Sequence, residues 1–126
     1  MKKKKAKPHI YVVTKWKSVI PEGGTAAERD SLLSQFFRAV TKKNNKIFSS
    51  KTLVHYYGSD LRDWVIMEEY KTWTDIEAAD KISQKLIMKK WPNDKKRKEF
   101  FQKTGKYFPD SIHSDEIYLE KPMFRK

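Results

Sequence analysis

The chain has no cysteine and no long apolar run. The absence of cysteine excludes disulfides, thiolate nucleophiles, zinc–thiolate sites and iron–sulfur clusters. Because no segment approaches the ~20 consecutive apolar residues that span a bilayer, no membrane segment is predicted. The 126 residues match one domain, which must therefore be stabilised by its hydrophobic core.

Positive charge is in excess, with 28 Lys and Arg against 16 Asp and Glu, a formal net charge of +12. Such an excess attracts anionic partners such as nucleic acid. The lysines are, however, spread over the N-terminal tail, a predicted helix end and residues 85–98, as on solvated surfaces. The distribution favours solubility over nucleic-acid binding.

The N-terminus, MKKKKAKPHIYVV, begins like a secretory signal, but residues 10–13 are too short an apolar stretch for one. No export signal is predicted. A cytoplasmic location is the default expectation, with export if a cleaved signal preceded this chain. Residues 1–8 are predicted to be a disordered basic tail, and residues 9–126 to form a single domain.

Four strands are predicted from short runs rich in β-branched and aromatic residues, at residues 9–16, 52–57, 64–70 and 116–120. Helix starts are marked by the capping-box spacing, a Thr followed three residues later by Glu, at Thr25 and again at Thr74. These signals predict helices over residues 25–43 and 74–91, and a third, capped by Asn93 or Asp94, that ends near Gly105.

The resulting order, βαββαβ with an extra helix before the last strand, predicts an α+β, ferredoxin-like fold with a four-stranded antiparallel sheet. Helices cover one face of such a sheet. The first strand is nevertheless apolar on both faces, since Ile10 and Val12 alternate with Tyr11 and Val13. The second face must therefore be covered by another copy of the sheet, or serve as a surface on which bases stack.

The base-stacking alternative corresponds to RNA-recognition modules, which share the βαββαβ order. Residues 10–14 resemble the first of their aromatic strand motifs. The second motif requires a basic, glycine-containing strand, whereas residues 62–70 contain Glu68 and Glu69 and no glycine. Phosphate would be repelled there, so an RNA-binding role is the weakest of the alternatives.

The element order, the doubly apolar strands and two phrases, residues 55–70 (HYYGSDLRDWVIMEEY) and 113–118 (HSDEIY), resemble the dimeric α/β-barrel superfamily. These ferredoxin-like, antibiotic-biosynthesis-monooxygenase-like proteins include bacterial members with similar phrases. The resemblance covers residues 9–121 and implies a homodimer in which two sheets face each other. The superfamily contains monooxygenases, haem-degrading enzymes, cyclases, lactone isomerases and stress-related proteins, so the resemblance does not imply one reaction.

The predicted catalytic residues lie around the loop between the second and third predicted strands. They are His55, Tyr57, Asp60, Arg62 and Asp63. If strand alternation holds, the His55 imidazole and the Tyr57 phenol share one face, where they could act as base and hydrogen-bond donor. The structural alternative is that Asp60 and Asp63 cap the turn and Arg62 forms a surface ion pair.

Aromatic residues make up 13% of the chain, more than one small core needs, so some should line a pocket or an interface. A small-ligand site is expected between sheet and helices, with Trp16, Trp64, Trp73 and Trp91 as candidates for its walls. Packing in the core is the alternative, and favoured, role of each tryptophan. A polar cluster precedes the last strand and consists of His113, Asp115 and Glu116. Its residues favour hydrogen bonding at the strand start or a contact between subunits, and catalysis is the alternative role. The predicted ligand-binding residues are Tyr11, Trp16, Trp64, Trp73, His113 and Asp115. No metal or cofactor is predicted.

The sequence thus predicts a homodimeric protein that binds a small apolar or aromatic molecule. Cofactor-independent chemistry of the monooxygenase, cyclase or isomerase type is one extension of that hypothesis. A non-enzymatic ligand-binding or stress-related protein is the alternative, and the residues do not decide between them.

Overall fold

The computed structural model describes residues 6–109 and 113–126. The predicted disordered tail falls largely outside this range, and residues 6–8 are exposed without regular structure. The strands are β1 (Ile10–Lys17), β2 (Ser49–Val54), β3 (Asp63–Tyr70) and β4 (Ser114–Leu119). The helices are α1 (Ala26–Phe36), continued by a π-helical turn (Phe37–Thr41), then α2 (Trp73–Lys90), α3 (Asp94–Gly105) and a short 3₁₀ turn (Pro122–Phe124).

All three strand pairings are antiparallel, in the order β2-β3-β1-β4. This arrangement confirms the predicted α+β, ferredoxin-like fold with an extra helix before the last strand. Thr14 pairs with Ile66 on one side and with Asp115 on the other. Because side chains alternate along a strand, this register fixes which residues face the helices.

Three predicted elements have different bounds in the structure, and the last of them, β4, begins at Ser114 instead of residue 116. Strand β2 begins at Ser49 and ends at Val54, three residues earlier than expected, so the loop before β3 is longer. Helix α2 begins at Trp73 with Thr72 as its N-cap, not Thr74. The Thr72 side chain makes no capping hydrogen bond, and its hydroxyl lies 3.2 Å from that of Thr74 in the first turn.

The predicted cap of α1 is present, since Thr25 Oγ1 accepts the Glu28 backbone N–H at 3.0 Å. In a capping box the glutamate would reach back to the Thr25 N–H. Here the buried Tyr107 hydroxyl takes that place: it accepts the Thr25 N–H at 3.0 Å and donates to Glu28 Oε1 at 2.8 Å. Tyr107 thereby ties the start of α1 to the segment after α3.

Tyr107 belongs to the buried core with Leu32 and Phe100, and aromatic rings pack around it. Trp91 stacks on Phe100 with ring centroids 4.2 Å apart and is parallel to Phe36 at 6.4 Å. Trp91, between α2 and α3, therefore packs against both α1 and α3. None of the helices in residues 6–109 and 113–126 has the combination of length and apolar character that crossing a membrane requires.

The sheet face opposite the helices is mixed in character. Charged side chains lie on it beside the apolar ones, because Lys15 pairs with Val65, Lys51 with Met67 and Glu116 with Val13. Glu68 points to the helix side and is not part of this face. Leu53 and Tyr118 are 46% and 55% exposed, so the chain leaves this face partly uncovered. The apolar and aromatic residues of the face, as the register places them, are Tyr11, Val13, Leu53, Val65, Met67 and Tyr118.

Candidate functional site

A cavity of about 860 Å³ lies between the sheet and helices α1 and α3. Its floor consists of strand residues that face the helices, and its roof of helix residues. This volume is within the range of small-molecule sites, which are ~300–1,000 Å³. The aromatic residues that line it are Trp16, Phe36, Phe37, Trp64, Phe100, Phe101 and Phe108.

Two tryptophans form one end of the floor. Trp16 of β1 and Trp64 of β3 are direct cross-strand partners. The edge of Phe108 contacts both rings, at centroid distances of 6.1 and 5.5 Å. His113 stacks on Trp16 at 4.4 Å, and the Arg29 guanidinium lies 4.6 Å above Trp64, a cation–π contact. These neighbours fix both indoles in position.

The π-helical turn contributes to the opposite wall. Its Lys42 N–H donates to the Phe37 carbonyl at 2.8 Å, the five-residue spacing of a π-helix. The turn changes the helical period at the point where Phe37 and Thr41 line the cavity. Single π turns within helices are frequent at functional sites, which makes this irregularity notable here.

Glu68 is a cavity residue that sequence reasoning missed. It follows Trp64 and Ile66 at two-residue steps along β3, so the three share the helix-facing side. Burial raises the pKa of the Glu68 carboxyl, and a hydrogen bond from Tyr70 partly opposes that rise. Strand alternation carries the signal that finds it, because Glu68 stands four residues after Trp64. Its charge alone indicates only repulsion of phosphate.

Of the six predicted ligand-binding residues, half line the cavity, and His113 contacts two of these, Trp16 and Asp115. The other two lie elsewhere. Trp73 is in the first turn of α2 and 64% exposed. Tyr11 is on the opposite sheet face, where it pairs in register with Glu69 and Tyr118. The predicted residues that line the cavity are Trp16, Trp64 and Asp115.

Three of the five predicted catalytic residues form an ion-pair network around Lys17, which the sequence did not suggest. Lys17 Nζ lies 2.9 Å from Asp60 Oδ2 and also contacts Asp63. Hydrogen bonds from Arg62 and Lys17 hold the pKa of Asp60 far below its usual value, and Lys17 lowers the pKa of Asp63. Asp60 also accepts the Arg62 backbone N–H at 3.0 Å, the turn contact of the structural alternative.

The structure does not bring His55 and Tyr57 together. Because β2 ends at Val54, strand alternation does not extend to them, and His55 is largely buried whereas Tyr57 is 92% exposed. His55 Nδ1 is 3.7 Å from Asp63 Oδ2, and its buried Nε2 has no hydrogen-bond partner among the described residues. All five predicted catalytic residues lie outside the cavity lining, and a catalytic role for them stays a prediction.

No protein-family model and no curated protein matches the chain. Solved structures match most of its length. A conserved protein from Methanosarcina mazei Go1 has a TM-score of 0.53 at 16% identity, with 91% of this chain and 93% of that chain covered. A candidate antibiotic biosynthesis monooxygenase from Caulobacter crescentus CB15 has a TM-score of 0.56 at 13% identity, with 89% of each chain covered.

A dimeric ferredoxin-like protein of unknown function from Thermobifida fusca has a TM-score of 0.57 at 4% identity, with 90% of this chain and 92% of that chain covered. At such identities the similarity shows the fold alone. The chain therefore has the ferredoxin-like α+β fold of these proteins, as the sequence resemblance implied.

Proposed function

We propose that this protein binds a small, largely apolar or aromatic molecule in the cavity between its sheet and helices. The observation that carries the proposal is the 860 Å³ cavity itself, whose walls combine aromatic rings with hydroxyl groups. Rings provide apolar contact, and hydroxyls such as those of Thr14, Ser50 and Thr52 can orient a ligand through hydrogen bonds. A protein that needed only a packed core would fill this space.

N-phenyl-1-naphthylamine, a neutral probe whose fluorescence rises in apolar surroundings, is expected to bind and to raise the melting temperature. Thr14→Trp, which fills the cavity from the floor, should weaken the binding at least tenfold. Ser31→Trp adds the same ring on the exposed surface of α1 and should not change it. Equal binding by wild type and a folded Thr14→Trp variant would place the probe elsewhere and contradict the proposal.

The chain is also proposed to form a homodimer through the sheet face opposite the helices. Support comes from the apolar centre of this face, where Val13 pairs with Met67 and Leu53 with Val65. Burying such a surface between two copies removes it from water at a gain of ~25 cal/mol per Å². Solved structures of the same fold include proteins described as dimeric.

Sedimentation equilibrium is expected to give twice the mass of one chain at micromolar concentration. Met67→Lys places a charge at the centre of the proposed interface and should yield a folded monomer, because an unpaired buried charge opposes association. Gln35→Lys adds the same charge on the exposed surface of α1 and should leave the dimer intact. A wild-type monomer would exclude the homodimer without bearing on the cavity.

Cofactor-independent chemistry in this cavity is the second candidate function. The observation that favours it is Glu68, a carboxyl with a raised pKa beside an apolar space, an arrangement suited to a general base. A ligand-binding protein without turnover is the alternative. Product formation from a bound aromatic molecule would separate the two, and loss of turnover in Glu68→Gln with retained binding would assign the base.

A further inference from the structure

The cavity has an unusual charge for this protein. Lys and Arg make up 28 of the 126 residues, yet no Lys, Arg or His is among the described residues that line the cavity. The ionisable groups of that lining are carboxyls: Asp30, Glu68 and Asp115. The cavity lining is therefore acidic, whereas the protein as a whole carries a positive net charge.

Two of these carboxyls have a basic neighbour and one does not. Arg29 Nε contacts Asp30 at 3.1 Å, and His113 Nε2 contacts Asp115 at 3.2 Å. Glu68 forms no ion pair within the part of the chain that the structure describes, and its hydrogen-bond partner is the Tyr70 hydroxyl. Asp30 and Asp115 are largely exposed, whereas Glu68 is partly buried on the floor.

An unpaired carboxylate in a partly desolvated site is costly, and a ligand that brings a positive charge removes that cost. A ligand that brings a second negative charge adds repulsion in a medium of reduced dielectric. The aromatic rings that line the same cavity can also attract a cation through cation–π contact. The Glu68 carboxylate and the aromatic lining therefore both favour an aromatic ligand that carries a positive charge.

We infer that the cavity selects aromatic molecules that carry a protonated amine, with the ammonium group on Glu68, and rejects aromatic carboxylates, sulfonates and phosphates. This inference rests on the proposed function, because it names the ligand class of the same cavity. Glu68 acts as the specificity-determining residue, and the aromatic floor and roof hold the ring system.

Three naphthalene probes that differ in one group test the inference by titration calorimetry at pH 7: 2-naphthylmethylamine, 2-naphthalenemethanol and 2-naphthoate. The wild-type protein is expected to bind the amine about tenfold more tightly than the alcohol, because a hydrogen bond between charged groups is stronger than one to a neutral hydroxyl and weakens when partly exposed. The naphthoate should bind more weakly than the alcohol.

Glu68→Gln keeps the size of the side chain and removes its charge. It should reduce amine affinity to that of the alcohol and leave the alcohol within twofold of wild type. Glu77→Gln, on the exposed surface of α2, is the matched control and should change neither affinity. The comparison of the three probes on the wild-type protein does not depend on either variant folding.

Naphthoate that binds as tightly as the amine would overturn the inference, as would an alcohol that matches the amine. An amine affinity that survives Glu68→Gln would also overturn it, because the charge would then be recognised elsewhere. In these three cases the alcohol still binds and the proposed cavity function stands. Failure of all three probes and of N-phenyl-1-naphthylamine would overturn both.

Discussion

Replacement of Asn44 by alanine is expected to lower the free energy of unfolding by about 2–4 kcal/mol, because it removes one buried amide that makes three hydrogen bonds. Asn44 is 3% exposed. Its Nδ2 donates to the Ala79 carbonyl and to Ser83 Oγ, both at 2.8 Å, and its Oδ1 accepts the Lys46 N–H at 3.1 Å. The amide thus joins the end of the π-helical turn to the middle of α2.

Asn45→Ala is the matched control, since the adjacent asparagine is exposed. Its effect should stay within ~0.5 kcal/mol, as for most surface substitutions. Urea titration of both variants measures the difference. If Asn44→Ala and Asn45→Ala lowered the urea midpoint equally, Asn44 would contribute only through local turn propensity. Its hydrogen bonds to α2 would then add nothing to stability.

The pair Asn44 and Asn45 also shows where sequence reasoning ends. Two consecutive asparagines indicate the end of a helix, because their side chains compete for backbone hydrogen bonds. That signal is local and equal for both residues. Which one is buried depends on α2, more than 30 residues further along the chain, and no spacing within residues 25–45 carries that information.

The cavity could be predicted in part. Trp16 and Trp64 were expected to wall a pocket between sheet and helices, and both do so, because β-branched and aromatic runs mark strands reliably and alternation then fixes their faces. Alternation failed at β2. Strand β2 ends at Val54, so His55 and Tyr57 lie beyond it and no longer alternate as strand residues do. The two side chains therefore do not share one face.

The network around Lys17 could not be predicted, because it joins the end of β1 to Asp60 in the loop before β3 and to Asp63 at the start of β3, both more than 40 residues later. Charges in loops give no periodic signal, and a lysine at a strand end is ordinarily read as solvated. Glu68 differs, since its position was set by the same alternation that placed Trp64. Strand periodicity thus carries more information about the cavity floor than composition does.

Gly58→Ala is expected to destabilise the protein by about 2–4 kcal/mol through two separable causes. The Gly58 φ of 144° lies in a region that other residues enter at a cost of ~1–3 kcal/mol. A Cβ there would also stand 2.3 Å from His55 Nε2, so the largely buried imidazole would have to move. Thermal or urea unfolding of the variant measures the sum.

A second variant background separates the two causes. In His55→Ala the clash is absent, so Gly58→Ala should cost at least ~1 kcal/mol less than in wild type, a coupling expected for residues in contact. Gly23→Ala is the matched control: its φ is 78°, and among the described residues no atom beyond its chain neighbours lies within 4 Å of the added Cβ. Only the backbone cost of ~1 kcal/mol therefore applies. Equal costs at Gly23 and Gly58 would contradict a contribution of the His55 contact to the effect of Gly58→Ala.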